Sequence, residues 1–96
     1  MRVIAGAARG ILLKTPEGLR TRPTAERVKE GLFSAIQFEI PGARVLDLFA
    51  GTGQLGIEAL SRGAKSSVFV DAGSEACRLV RENLQRTGLT SQAQVV

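Results

Sequence analysis

The chain has 96 residues, 13 Lys and Arg against 9 Asp and Glu, a net charge of +4, one Cys, and no His, Tyr or Trp. That length holds one domain rather than two, and a hydrophobic content of 44% excludes a disordered tail. One Cys excludes a disulfide framework or a Cys-rich zinc site, the lack of His excludes His-based triads and His-ligated metals, and no apolar run approaches the roughly 18 residues of a membrane span.

The start, Met1-Arg2-Val3-Ile4-Ala5-Gly6, is too short and too soon polar for a secretory signal. These absences lead to the expectation of a cytoplasmic protein with no membrane contact and no metal. The charge is unevenly placed. Residues 1–30 carry seven basic and three acidic side chains, and residues 31–96 balance to zero. A basic segment of this kind suits a polyanion, because displacing phosphate counterions drives association. It equally suits a soluble surface with scattered Arg.

In chain order, residues 2–5 and 11–15 are β-like and flank Gly6 to Gly10, which predicts an antiparallel hairpin with Arg9 near its tip. Pro16 to Thr21 reads as a loop. The segment from Thr24 to Gln37 predicts a helix with Val28, Leu32, Phe33 and Ile36 on one face and Thr24 as N-cap, ended by Pro41-Gly42. Residues 44–49 form a nearly continuous apolar run, expected to be a parallel strand buried on both faces. Residues 50–53 read as a loop. Residues 54–62 predict a helix with Leu55, Ile57, Ala59 and Leu60 apolar, stopped by Gly63. Residues 67–71 predict a second strand. Ser74 is the expected cap of a third helix that carries Cys77, Val80 and Leu84 inward and stops at Gly88. Residues 93–96 predict a third strand. The alternation implies a parallel sheet with right-handed crossovers.

Gly51-Thr52-Gly53-Gln54-Leu55-Gly56 matches G-x-G-x-x-G between a predicted strand and a predicted helix. Glycines there allow a tight turn and a close backbone approach to a ligand. Asp71 ends the next strand, 20 residues after Gly51. A carboxylate so placed can accept both ribose hydroxyls of an adenosine ligand; without one, the same residues make a tight turn and an exposed strand-end acid. NAD and S-adenosylmethionine both fit. Asp47, inside the first strand, favours the second, because an anion opposes a pyrophosphate but suits an ammonium. The carboxylate is also placed to cap nearby loop amides, and the two roles can coexist. Cys77 reads as small core filler.

Val45-Leu46-Asp47-Leu48-Phe49-Ala50-Gly51-Thr52-Gly53 resembles motif I of S-adenosylmethionine-dependent methyltransferases. Arg22-Pro23-Thr24, followed by Arg27-Val28-Lys29-Glu30 and Leu32-Phe33, is similar to the R-P-T-x-x-R-V-[RK]-E-x-L-F signature of the RsmD family, bacterial enzymes that methylate a guanine N2 in 16S rRNA. Val3-Ile4-Ala5-Gly6 with Arg9-Gly10 resembles that family's N-terminal hairpin. The resemblance runs over essentially all 96 residues.

It implies an α/β chain: a partial Rossmann-like methyltransferase fold of three parallel strands with helices, preceded by a β-hairpin and a helix. Residues 1–20 would be the basic hairpin extension, and residues 21–96 the N-terminal half of the cofactor domain. It implies S-adenosyl-L-methionine as cofactor, with Arg22, Pro23 and Thr24 beside the methionyl end. Asp47, Gly51, Thr52 and Gly53 follow from motif I, and Asp71 from the ribose-binding acid. It places Arg2, Arg9 and Lys14 toward RNA, either 16S rRNA or an assembly intermediate of the small subunit. For Arg22 and Arg27, ion pairing to Glu26 or Glu30 is the competing reading. Ala72-Gly73 depart from the family's polar residues after the acid, which puts contacts beyond the ribose in doubt.

The family's Asn/Asp-Pro-Pro-Tyr/Phe motif, which grips the exocyclic amine and stacks the flipped base, does not occur. The prolines are Pro16, Pro23 and Pro41, and there is no Tyr. The chain therefore reads as a cofactor-binding half with no catalytic residue of its own. It is expected to self-associate through an open sheet edge or to pair with a missing half. A nicotinamide-dependent oxidoreductase fragment and a non-catalytic RNA-binding module are the alternatives.

Overall fold

A computed structural model describes residues 1–16, 18, 23–48 and 50–96, with residues 23 and 24 described by backbone alone. Helix α1 spans Pro23–Ala35, strand β1 Arg44–Leu48 and helix α2 Gln54–Ser61. Strand β2 spans Ser66–Val70, helix α3 Ser74–Thr87 and strand β3 Ala93–Val95. The strands form one parallel sheet in the order β1-β2-β3, with Asp47 opposite Phe69 and Phe69 opposite Val95. The strand–helix alternation thus produces the expected half-sheet.

Local chemistry sets the helix ends. α1 starts on Pro23, whose fixed φ suits a first helical position where its missing N–H is not needed. Thr24 therefore lies inside the first turn and is not the N-cap. α3 is capped by Gly73 in an extended conformation, and Ser74 is its first helical residue rather than its cap. Asp71 Oδ1 instead accepts the Gly73 amide at 2.9 Å. α3 ends at Gly88, whose φ is +73°, as its sequence predicts.

The N-terminal arm departs from a regular hairpin. Among the described residues its two sides meet in one antiparallel bridge, Arg2 with Leu12, flanked by Val3 N to Ile11 O at 2.9 Å and Gly10 N to Val3 O at 2.8 Å. The ladder stays short because its amides turn to α2. Ile4 N and Ala5 N donate to Glu58, and Ala8 N donates to Ser61 Oγ. Met1, Val3, Ala8 and Leu13 are buried in the main core with Phe33, Ile57, Leu60, Phe69, Val80 and Leu84.

Three expectations about burial fail. Val28 is 69% exposed and Leu32 is also exposed, whereas Phe33 is buried and Ile36 partly so. The inward stripe of α1 is Ala25, Lys29 and Phe33, continued by Ile36 just beyond its end, and the charged Lys29 disguised it. β1 is not buried on both faces, since Leu46 is 61% exposed and Leu48 is also open. The helices sit on the sheet face that carries Val45, Asp47, Ser67 and Phe69. On the opposite face Leu46 and Leu48 are exposed, and Val68 and Val70 are half-buried. Leu55, expected inward on α2, is exposed as well.

Candidate functional site

The turn from β1 into α2 needs left-handed backbone. Gly51 has φ +60° and Gly53 φ +82°, and Gly53 is the N-cap just before α2. An L side chain is strained in both conformations. Gly56 has a different task. A Cβ there would overlap the Phe69 ring edge and come within 2.8 Å of Ser67 Oγ. Its missing side chain lets α2 lie against β2, the close helix–strand packing expected of the third glycine in this pattern.

Two carboxylates organise the turn. Asp71 Oδ2 accepts the Gly51 amide at 3.1 Å, while Oδ1 accepts the Gly73 amide at 2.9 Å. One side chain thus joins the loop after β1 to the loop after β2. The Gly73 and Gly51 hydrogen bonds hold its carboxyl below the usual carboxylate range. Each oxygen keeps a second acceptor site, and the group faces solvent, so ribose hydroxyls can be received there. Asp47 is buried, and its Oδ2 accepts the Gly56 amide in the first turn of α2 at 3.1 Å. Burial pushes its carboxyl above the ordinary value, opposed by the Gly56 bond. The amide-capping role is therefore present. Oδ1 takes no hydrogen bond among the described residues. Asp47 also lines a cavity of about 200 Å³ with Phe33, Val45, Leu55 and Gly56.

These features fit an adenosine-bearing, cationic ligand: a glycine turn with open backbone, a pre-ionised acid at the ribose position, and a buried acid that gains by meeting a cation. Gly51, Thr52, Gly53, Asp47 and Asp71 are brought together. Pro23 and Thr24 open α1, their side chains lying outside the described residues, as does Arg22. Of the basic residues assigned to RNA, Arg9 is exposed on the arm's turn. Arg2 pairs with Glu26 at 3.4 Å, and Lys14 pairs with Glu82 at 3.2 Å. Arg27 is exposed, and among the described residues neither Glu26 nor Glu30 pairs with it. Cys77 is half-buried, with Sγ 3.3 Å from the Asp71 carbonyl, so it packs beside the site rather than in the core.

Sequence reasoning missed two groups. Glu58 is fully buried and accepts from Ile4 N, Ala5 N, Lys29 Nζ and Arg62 Nε at 2.8–3.3 Å. Asn83, also fully buried, accepts from Lys14 N at 2.7 Å and donates to the carbonyls of Lys14 and Thr52, each at 2.9 Å. The one signal available was a polar residue at an inward helical position: Glu58 beside Ile57 and Ala59, and Asn83 between Val80 and Leu84.

A parallel half-sheet with a glycine turn after β1 and an acid at the end of β2 defines a partial Rossmann-like fold of the methyltransferase type. The family model described as conserved hypothetical protein 95 matches residues 1–96, and the chain belongs to that family, the RsmD family. YlbH of Bacillus subtilis (strain 168) is 50% identical over 95 residues, which are 99% of this chain and 52% of that protein. The protein named ribosomal RNA small subunit methyltransferase D of Haemophilus influenzae is 41% identical over 97 residues, covering 100% of this chain and 50% of its own. The solved structure of Escherichia coli yhhF superposes with a TM-score of 0.85 at 36% identity, covering 100% of this chain and 51% of that one. The chain spans about half the length of the curated relatives it matches.

Proposed function

We propose that this chain is the cofactor-binding half of an S-adenosyl-L-methionine-dependent methyltransferase that modifies guanine N2 in 16S rRNA. The observation that carries the reading is the Asp71 carboxylate held by the Gly51 and Gly73 amides. It aligns a ribose acceptor with the glycine turn before any ligand arrives, so little ordering remains at binding. Names of relatives support rRNA as the substrate class, and the guanine N2 target rests on the family signature.

When bound, the cofactor supplies an electrophilic methyl group on a sulfonium centre. Asp71 would hold the ribose hydroxyls. The Gly51-Thr52-Gly53 backbone would approach the ligand, with no Cβ at Gly51 or Gly53 in the way. Asp47 would neutralise the ammonium of the methionyl end, and Arg22, Pro23 and Thr24 would flank that end. Arg9, with Arg2 and Lys14, would contact RNA phosphates. With no Asn/Asp-Pro-Pro-Tyr/Phe motif among its 96 residues, the chain alone would bind cofactor without transferring methyl groups. In this reading the protein works in the cytoplasm, where its substrate is assembled. The sheet face of Leu46 and Leu48 and the free side of β1 would be closed by the remainder of a longer chain, or by a second copy when the chain is alone.

Calorimetric titration with S-adenosylhomocysteine and with NAD tests the reading. S-adenosylhomocysteine should bind and NAD should not, and Asp71→Ala should weaken the first roughly tenfold or more, the scale of charged hydrogen bonds lost. Tighter NAD binding would favour the oxidoreductase reading. No binding of either would favour an RNA-binding module.

A further inference from the structure

We infer that Asn83 is a positioning residue that couples the N-terminal arm to the glycine turn, so that RNA docking and cofactor binding strengthen each other. The inference rests on the function proposed above. Its basis is one carboxamide with three short bonds. Asn83 holds both backbone groups of Lys14, the N–H at 2.7 Å and the C=O at 2.9 Å. Its remaining N–H donates to the carbonyl of Thr52, the middle residue of the turn, at 2.9 Å. Asn83 is fully buried, so none of these groups can exchange a lost partner for water without opening the structure.

The arm end of this link is also where phosphate would act. The Lys14 ammonium is half exposed and pairs with Glu82, the neighbour of Asn83, at 3.2 Å. A phosphate that binds that ammonium restrains the residue whose backbone Asn83 grips. The other end is the turn that the cofactor must find ordered. The main chain at Asn83 is held from behind, because its backbone carbonyl accepts the Thr87 hydroxyl at 2.9 Å. Ordering either end through this carboxamide leaves less ordering to be done at the other, which is the thermodynamic content of positive coupling.

The test is calorimetry of S-adenosylhomocysteine binding to the chain, free and saturated with a short RNA hairpin, for wild type and Asn83→Asp. The Asp variant keeps an acceptor for the Lys14 amide but has no donor for the carbonyl of Lys14 or of Thr52. In the wild type, RNA should tighten S-adenosylhomocysteine by a factor within the ~5- to 150-fold range of allosteric coupling, and S-adenosylhomocysteine should tighten RNA by the same factor. In the variant the factor should fall to near one.

A second readout needs no variant. RNA should slow hydrogen exchange at the Gly53 amide, and S-adenosylhomocysteine should slow it at the Lys14 amide. Equal affinities with and without RNA in the wild type would overturn the coupling, as would coupling undiminished in Asn83→Asp or exchange that responds only at the bound end. Failure of the wild type to bind S-adenosylhomocysteine at all would overturn the proposed function, and the coupling with it.

Discussion

Glu58→Gln is the sharpest structural perturbation. Glu58 is fully buried, and its two oxygens take four donors. Oε1 serves Ile4 N and Lys29 Nζ, and Oε2 serves Ala5 N and Arg62 Nε. A carboxamide keeps one oxygen, so whichever way it turns, one amide and one cation face an NH₂. Breaking a buried ion pair in this way costs about 3–5 kcal/mol. Lys29 keeps a second partner, the Arg2 carbonyl at 2.7 Å, which places the loss near the lower end, about 3 kcal/mol.

That is a large share of the ~5–15 kcal/mol that holds a domain folded, and at this chain length it lowers Tm by roughly 12–24 °C. Urea denaturation measures it directly. Adding Lys29→Met removes the stranded ammonium, so the double variant should be no less stable than Glu58→Gln alone. A loss under about 1 kcal/mol, or additive effects in the double variant, would refute the assignment of Glu58 as the buried anchor of the arm.

The ionisable groups add a pH test. Burial holds Lys29 below its ordinary 10.5 despite the Glu58 charge. Between that lowered value and 10.5 the unfolded chain binds more protons, so stability should rise with pH through this window; a flat urea midpoint there, measured against Lys29→Met, would contradict the burial. Asp47 has the opposite sign: its folded value lies above 3.8 because of burial, so its contribution is present below 3.8 and lost as pH rises through the folded value. Asp47→Asn should therefore raise the neutral-pH melting temperature of the ligand-free chain while weakening S-adenosylhomocysteine, and a variant that loses on both counts would show the carboxylate to be purely structural. Gly56→Ala should destabilise by about 1–3 kcal/mol through overpacking on Phe69 and Ser67, read by thermal melting. With Leu46 and Leu48 open to water, the isolated chain should associate in light scattering as its concentration rises, and a monomer throughout would contradict the open-edge reading.

The parts legible in the sequence are those governed by local rules. The apolar run of β1, the glycine turn and the Gly88 stop each follow from backbone stereochemistry or a short periodicity, and each appears where the pattern places it. The Asp71 position was legible because its spacing from Gly51 is fixed by one strand–helix–strand unit. What escaped depends on long-range partners. Lys29 reads as a solvated charge until Glu58, nearly thirty residues away, is brought against it. Val28 and Leu32 read as core until α1 turns Lys29 and Phe33 inward instead. The arm reads as a free hairpin until Glu58, Ser61 and Asn83 take its amides.

If the glycine turn and Asp71 form one cofactor site, both respond when S-adenosylhomocysteine binds. Amide chemical-shift mapping of the chain with S-adenosylhomocysteine tests it most directly. Shifts should concentrate at Gly51, Thr52, Gly53 and at Asp71 to Gly73, be absent with NAD and be abolished in Asp71→Ala. Shifts scattered along the arm, or equal shifts with NAD, would contradict it.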